Sequence, residues 1–301
     1  VQTPYIAAMG EGGEPWVNGA SMNNQGVEFT VSFKSDPSSE FQWAVSANIG
    51  TYKTELTDLP SNVINKYAGD GVHDLILGRS PNSAYGLVAD GIFKTQEEVD
   101  AHADQPGKAV GRIRYKDLDG DGVINETYDR TWIGCYDPDF FGGLNFDFAY
   151  KGFDLNLFFE GMFGNDVNSD WKKESDIWLF TNPAWKNHAT RMLGGWSPDN
   201  PNSDIPAISN NTANQEQRFS SWFIEDGSYI KLRNIELGYT FPTKLIKKMH
   251  MSNLRLYAAA YNVFTLKKFW GDDKYTSFDP ERPSYHYLTP FTFNFGINVS
   301  F

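Results

Sequence analysis

The sequence predicts an all-β protein, specifically an antiparallel transmembrane β-barrel whose apolar side chains face outward. Three observations lead there. The final stretch alternates strictly, with Phe291, Phe293, Phe295, Ile297, Val299 and Phe301 interleaved with Thr292, Asn294, Gly296, Asn298 and Ser300. A central hairpin satisfies one register at every position. The connections between strand-like segments alternate between short and long along the whole chain.

The last strand states the chemistry most clearly. Successive side chains in a strand point to opposite faces, so one face is entirely Phe, Ile and Val and the other is small and polar. A sandwich strand with one buried face also alternates. Here the apolar face carries no charge and the polar face suits a wet or plugged lumen, which is the pattern of a barrel in lipid. The segment ends on the apolar Phe301 with no polar tail, as outer-membrane barrels do.

Bulk composition excludes several alternatives. No run of eighteen apolar residues occurs, so the sequence predicts no spanning helix, whereas barrel strands, half polar, escape hydropathy averaging. A net charge of -12 without a basic cluster argues against nucleic acid. Cys135 is the only cysteine, so neither a disulfide framework nor a cysteine metal site is available. The sequence starts at Val1 without Met or a signal-peptide pattern, which is expected of a processed chain or, the preferred reading, of a fragment.

In order, residues 1–26 are rich in Gly, Asn and Pro and read as an extracellular loop remnant. Val27, Phe29, Val31 and Phe33 alternate with polar residues. After the loop 35–40, Phe41, Trp43, Val45, Ala47 and Ile49 do the same, giving an antiparallel hairpin. A long irregular region, about 50–141, holds one helical candidate at 95–101, where Thr95 and Glu98 fit a capping box. Then Leu144, Phe146, Phe148 and Tyr150 precede Lys151-Gly152, and Phe153, Leu155, Leu157 and Phe159 follow. A two-residue turn sets Tyr150 opposite Phe153, Phe148 opposite Leu155, Phe146 opposite Leu157 and Leu144 opposite Phe159, with Asp147 opposite Asn156 on the other face.

A second long region, 164–221, suggests two short helices at 170–180 and 184–193, the second closed by Gly194-Gly195. In 229–241 the apolar phase flips from even (Ile230, Leu232) to odd (Ile235, Leu237, Tyr239), which calls for a bulge near Arg233-Asn234. A strand at 254–265 and a third long region, 266–288, lead to the terminal strand. Short connections (35–40, 151–152, 242–253) thus alternate with long ones, as periplasmic turns and extracellular loops do. A sandwich gives no reason to gather every long loop at one end. Seven strands fall short of the even number, eight or more, that a bacterial barrel needs, and an open edge in lipid leaves backbone groups unpaired. The sequence therefore predicts that 27–301 are the C-terminal part of a larger barrel. Phe29, Val31, Trp43, Val45, Phe146, Phe148, Leu155, Leu157, Phe293, Phe295 and Ile297 would meet the lipid bilayer. Thr30, Ser46, Asp147, Asn156, Asn294 and Asn298 would line the lumen.

Four ordered segments, spanning nearly the whole chain, resemble the C-terminal part of the SusC/RagA family of TonB-dependent outer-membrane transporters. They are residues 24–29 (Asn-Gln-Gly-Val-Glu-Phe), 111–122 (Gly-Arg-Ile-Arg-Tyr-Lys-Asp-Leu-Asp-Gly-Asp-Gly), 226–234 (Asp-Gly-Ser-Tyr-Ile-Lys-Leu-Arg-Asn) and the terminal aromatic strand. The resemblance implies a 22-stranded barrel in the outer membrane of a Gram-negative bacterium, with an N-terminal plug and energy supplied through TonB. It implies a SusD-like surface lipoprotein as partner and glycan, or in some members peptide, import. The plug, the N-terminal strands and the TonB-contacting segment do not lie in this sequence.

Asp117, Asp119 and Asp121, with Gly122 sixth, the Val123 carbonyl seventh and Asn125 ninth, fit a structural calcium loop. Carboxylates this close repel unless a cation lies among them. The twelfth position, where the family and the EF-hand place an acid, is Tyr128, and Asp129 comes one residue late. An Asp/Gly turn without metal is the alternative. Trp171, Trp178, Trp185, Trp196, Trp222 and Trp270 lie in or beside the long loops and could stack on sugars as substrate or lid contacts, or simply pack within the loops or an interfacial belt. Glu225, Asp226, Lys231 and Arg233 are expected in lumen-facing or loop ion pairs. The five His are scattered, and no nucleophile elbow, P-loop or dinucleotide fingerprint occurs, so an enzyme is the weakest class. The rival to the barrel is a secreted, calcium-stabilised β-sandwich that binds carbohydrate.

Overall fold

The computed structural model describes residues 19–60, 75–177, 188–209, 212–267, 276–283 and 288–301. Seven long strands form one antiparallel meander. They are β1 (Ser21–Lys34), β2 (Phe41–Asp58), β7 (Phe140–Tyr150), β8 (Phe153–Phe163), β11 (Tyr229–Thr240), β12 (Asn253–Lys267) and β13 (Thr292–Ser300), paired in that order. β1 begins at Ser21, inside the stretch read from sequence as loop, because its ladder with β2 runs on to the pair Ser21 and Asp58.

Local chemistry places each turn. Between β1 and β2 the Asp36 carboxylate accepts from the Ser38 N–H at 2.8 Å, an Asx turn. Lys151 and Gly152 both take positive φ (49° and 88°), the type I′ geometry that matches strand twist. A Cβ on Gly152 would lie 2.7 Å from the Thr240 carbonyl oxygen, so glycine is required there. The resulting register is the expected one, with Tyr150 opposite Phe153, Phe148 opposite Leu155, Phe146 opposite Leu157, Leu144 opposite Phe159 and Asp147 opposite Asn156.

The expected bulge in β11 lies between Leu232 and Asn234, which pair with consecutive residues Phe159 and Phe158 of β8. The extra residue is Arg233. It lets Ile230 and Leu232 share a face with Ile235, Leu237 and Tyr239 while two adjacent polar residues point the other way. β12 answers with its own irregularity at Asn262, held at φ 54° with its side-chain amide donating to the Pro290 carbonyl at 3.1 Å.

The two faces of the sheet differ in kind. On the apolar face Val27, Phe29, Phe33, Ile49, Leu237, Phe293, Phe295 and Ile297 are all exposed, Phe295 at 81%. Aromatic residues gather at both ends of the strands. Phe41, Tyr150, Phe153, Tyr239 and Phe241 lie at the short-turn end, with ring centroids 4.6 Å apart for Phe153 and Tyr239. Phe140 and Phe163 stack at 4.8 Å at the long-loop end. β7 has 11 residues. Its length of about 36 Å, tilted by roughly 40°, rises about 28 Å, the height of a bilayer core.

The long connections are less irregular than their composition suggests. They contain three two-stranded sheets, from β3 (Ser83–Leu87) with β6 (Arg130–Cys135), β4 (Ala89–Ile92) with β5 (Ile113–Tyr115), and β9 (Asp166–Asn168) with β10 (Ile224–Asp226). The helix expected at 95–101 is α1 (Gln96–Ala101), capped by the Thr95 hydroxyl, which accepts from the Glu98 N–H. The Glu98 carboxylate reaches one residue further back than a standard capping box, to the Lys94 N–H at 2.6 Å. The helix expected at 170–180 is only α2 (Asp170–Lys172) running into a π-turn (Lys173–Ile177), with the rest outside the described residues. The one expected at 184–193 is a 3-10 turn (Thr190–Gly194), its first part also outside them. These loops have their own buried core of Leu87, Ile113, Tyr115, Ile124, Ile177 and Phe223.

Candidate metal centre and polar wall

The Asp/Gly loop follows β5 and returns to β6. Gly120 and Gly122 both take positive φ (76° and 86°), which turns the backbone sharply enough to bring carboxylates together. Oxygens of Asp117, Asp119 and Asp129 lie within 4.8 Å of one another. Asp129, one residue late by the calcium-loop count, is thus the acid that closes the group. It is fully buried, and its two oxygens accept from the Leu118 N–H at 2.8 Å and the Asn125 N–H at 2.7 Å. The Asp129 N–H donates to the Asn125 carbonyl, and this extra turn absorbs the additional residue. Asp121 turns aside and accepts from the Val123 N–H, outside the group. Asn125 spends its side-chain oxygen on the Thr127 and Tyr128 N–H groups. Val123 and its neighbours are tied to the loop core, with the Ile124 N–H donating to the Asp104 carbonyl at 2.9 Å.

Electrostatics divides the three acids. Desolvation pushes Asp117 up, but the Gly122 and Gly120 N–H groups outweigh it and hold its carboxyl below the usual range. The Asp121 N–H pulls Asp119 down, yet desolvation and the Asp121 and Asp129 charges win and raise it. The part of that rise that comes from the Asp121 and Asp129 charges is what a divalent cation among them would relieve. Three convergent oxygens, one buried and pre-oriented, fit a hard cation such as Ca2+.

On the opposite side of the sheet from the apolar face runs a polar wall. The Asn156 amide donates to Asp147 at 2.7 Å and to Asn145 at 3.0 Å, and Asn234 donates to Asn156 at 3.0 Å. Arg255 joins Glu236 at 2.7 Å and also pairs with Asp154. Higher up, toward the long loops, Lys231 is 2% exposed and holds Asp279 at 2.8 Å and Glu281 at 2.6 Å. Arg233 binds Glu160 at 2.7 Å and Glu281 at 2.5 Å. Lys231 and Arg233 therefore pair across strands and loops, not with the sequence neighbours Glu225 and Asp226. Glu225 faces Lys172 at 3.6 Å and accepts from Thr276 at 2.8 Å. Sequence reading missed Glu160, Asp279 and Glu281. Only Glu160 left a signal, since its parity on β8 places it on the polar face.

Of the tryptophans singled out, Trp171 is half-buried with its ring 4.6 Å from Phe278, and Trp196 packs beside Gly111. Trp222 lies under the Lys172 ammonium at 4.8 Å and packs on the loop core. All three lie against residues of the loops. Trp178, Trp185 and Trp270 lie outside the described residues.

No protein-family model matches the chain. By sequence it is similar to TonB-dependent receptor P3 of Formosa agariphila, 30% identical over 94% of this chain and 29% of that protein. It is also similar to TonB-dependent receptor SusC of Bacteroides thetaiotaomicron, 26% identical over 94% of this chain and 27% of that one. In structure it resembles a chain of the RagAB peptide transporter, with a TM-score of 0.74 at 22% identity over all of this chain and 32% of that one. A RagAB importer in its closed-closed state gives 0.71 at 23% identity, over 100% of this chain and 32% of that chain. The chain spans less than a third of the length of these relatives. The four ordered segments and these likenesses agree: in sequence the chain is similar to TonB-dependent receptors, SusC among them, and in fold to a chain of RagAB.

Proposed function

We propose that this chain is the C-terminal part of the barrel of a TonB-dependent importer in the outer membrane of a Gram-negative bacterium, taking up oligosaccharides or peptides. The single observation that carries the proposal is the inverted sheet, with aromatic and aliphatic residues outside and a hydrogen-bonded, charged wall within. In water such a face would be buried, and in lipid it is the stable arrangement. β1 and β13 are the edges of the sheet, and strands beyond this chain would pair with them to close a 22-stranded wall. A plug would meet the polar wall, TonB would act through segments beyond this chain, and a SusD-like lipoprotein would sit on the loops. The likeness to RagAB, a peptide transporter, keeps peptides beside glycans as cargo.

The test is uptake by the intact protein in cells. Fluorescent oligosaccharide and peptide pools should accumulate only with TonB present, and an affinity tag on the protein should retrieve a surface lipoprotein. Uptake indifferent to TonB, or an intact protein soluble without detergent, would overturn the reading.

The Asp117, Asp119 and Asp129 oxygens are proposed to hold Ca2+, with Asp121, the Val123 carbonyl and Asn125 completing the shell directly or through water. The ion would stiffen the loop that carries β5 and β6. With calcium, protease cleavage in 100–140 should be slow, and a chelator should speed it. Asp129→Asn should reach the chelated rate and Asp121→Asn should fall short of it. A parent protein equally sensitive with and without chelator would exclude the ion.

A further inference from the structure

The three short connections differ in charge. In the first, Asp36 and Glu40 are acidic. In the second, the single Lys151 pairs with Glu40 at 3.0 Å. The third, residues 241–252, folds as α3 (Thr243–Ile246) and a 3-10 turn (Lys247–Met249). It carries Lys244, Lys247, Lys248 and His250 and no acid, in a chain of net charge -12. All three lysines are exposed, and none has an ion-pair partner among the described residues. In the same short turn Leu245 is 62% exposed and Met249 64%. Ile246, 2% exposed, anchors the turn from below.

This turn sits next to the aromatic row that ends the strands. The Phe241 N–H donates to the Leu254 carbonyl at 2.9 Å, and the Phe241 ring lies 5.0 Å from Tyr239, itself 4.6 Å from Phe153. Aromatic rows of this kind mark the depth of the headgroups. Exposed leucine and methionine flanked by lysines at that depth form a small amphipathic anchor.

We propose that this turn docks on anionic phospholipid headgroups of the leaflet at the short-turn end, Leu245 and Met249 entering the acyl boundary and Lys244, Lys247 and Lys248 pairing with phosphates. The proposal rests on the barrel reading. Charge complementarity selects the lipid class, since each lysine near an anionic surface favours it about fivefold.

The intact protein, with Cys135→Ser and a nitroxide on Leu245→Cys, is reconstituted in nanodiscs of phosphatidylcholine alone or with phosphatidylglycerol. Power saturation then compares collisions with oxygen, which enriches in lipid, and with a water-soluble nickel chelate. With phosphatidylglycerol the label should favour oxygen, and K244Q/K247Q/K248Q should shift it severalfold toward nickel. In phosphatidylcholine alone the lysine variant should change nothing. A second label on Phe295→Cys reports the barrel itself. If position 295 lies in lipid but position 245 is in water in both discs, or is unmoved by the lysine substitutions, the docking proposal fails and the barrel stands. If position 295 is also in water, both fail.

Discussion

The sheet and the loop assembly above it obey opposite rules within one chain. On the strands large apolar residues are exposed, Val27 at 72% and Phe295 at 81%, and charged residues lie on the other face in mutual contact. In the loops Leu87, Ile113 and Phe223 are buried at 0 to 1%, and Asp119 and Asp121 are exposed. Both regions hydrogen-bond their backbones, and both contain ordinary apolar residues. On the proposed barrel reading the difference teaches that two solvents shaped this polypeptide, hydrocarbon against the strands and water around the loops, with the change at the aromatic ends of β7 and β8.

Breaking the comparison is easiest in the loop core. Phe223→Ala should cost about 3–5 kcal/mol, because a buried aromatic is removed from a packed cluster. Phe295→Ala removes a side chain that meets mobile surroundings and leaves no cavity. Hydrogen exchange on the intact protein should show loss of protection in β3 and β5 for the first and little change for the second. Equal effects would mean that Phe295 is packed as Phe223 is.

The next effect sharpens the assignment of faces. Phe295→Lys should cost about 2–4 kcal/mol if position 295 lies near the bilayer midplane. Asn294→Lys, one residue away on the polar face, should assemble normally. Heat-modifiable migration of the barrel in gels measures both. Matching defects would erase the distinction between the faces.

How legible each region was in the sequence follows from the same contrast. The strands could be read because one face is apolar and the other polar, which imposes period two without interruption, and even the Arg233 bulge announced itself as a phase flip. Their ends were misjudged, at Ser21 and Asp58, where the ladder continues after the pattern has lost its apolar phase. The loop sheets β3–β6, β4–β5 and β9–β10 were invisible. Each is a few residues long and pairs segments well separated in sequence, as when Ile224 of β10 faces Asn168 of β9. Neither strand of such a pair carries enough residues to show a period. The metal candidate was legible in composition, with Asp129 already named as the acid that comes one residue late. Asp129 could be preferred over position twelve only once the extra turn at Asn125 was seen.

The smallest effect tests the seam between the two regions. Glu281, in the third long loop, receives Lys231 and Arg233 from β11, and these cations, Arg233 foremost, hold its carboxyl down at about 2. Its unfolded value is about 4.3. A depressed carboxylate stabilises the folded form above the unfolded value and loses that contribution as pH falls toward the folded one. The tie between loop and strand should therefore be intact at neutral pH and loosen between roughly pH 4 and 2. Glu281→Gln should abolish that acid-dependent step, leaving Lys231 to Asp279 alone. Limited pepsin digestion across this range, scored at 276–283, should show an acid onset in the parent and a flat profile in the variant. If the onset persists in Glu281→Gln, the tie belongs to another carboxylate, and Asp279, on the same lysine, is the one to substitute next.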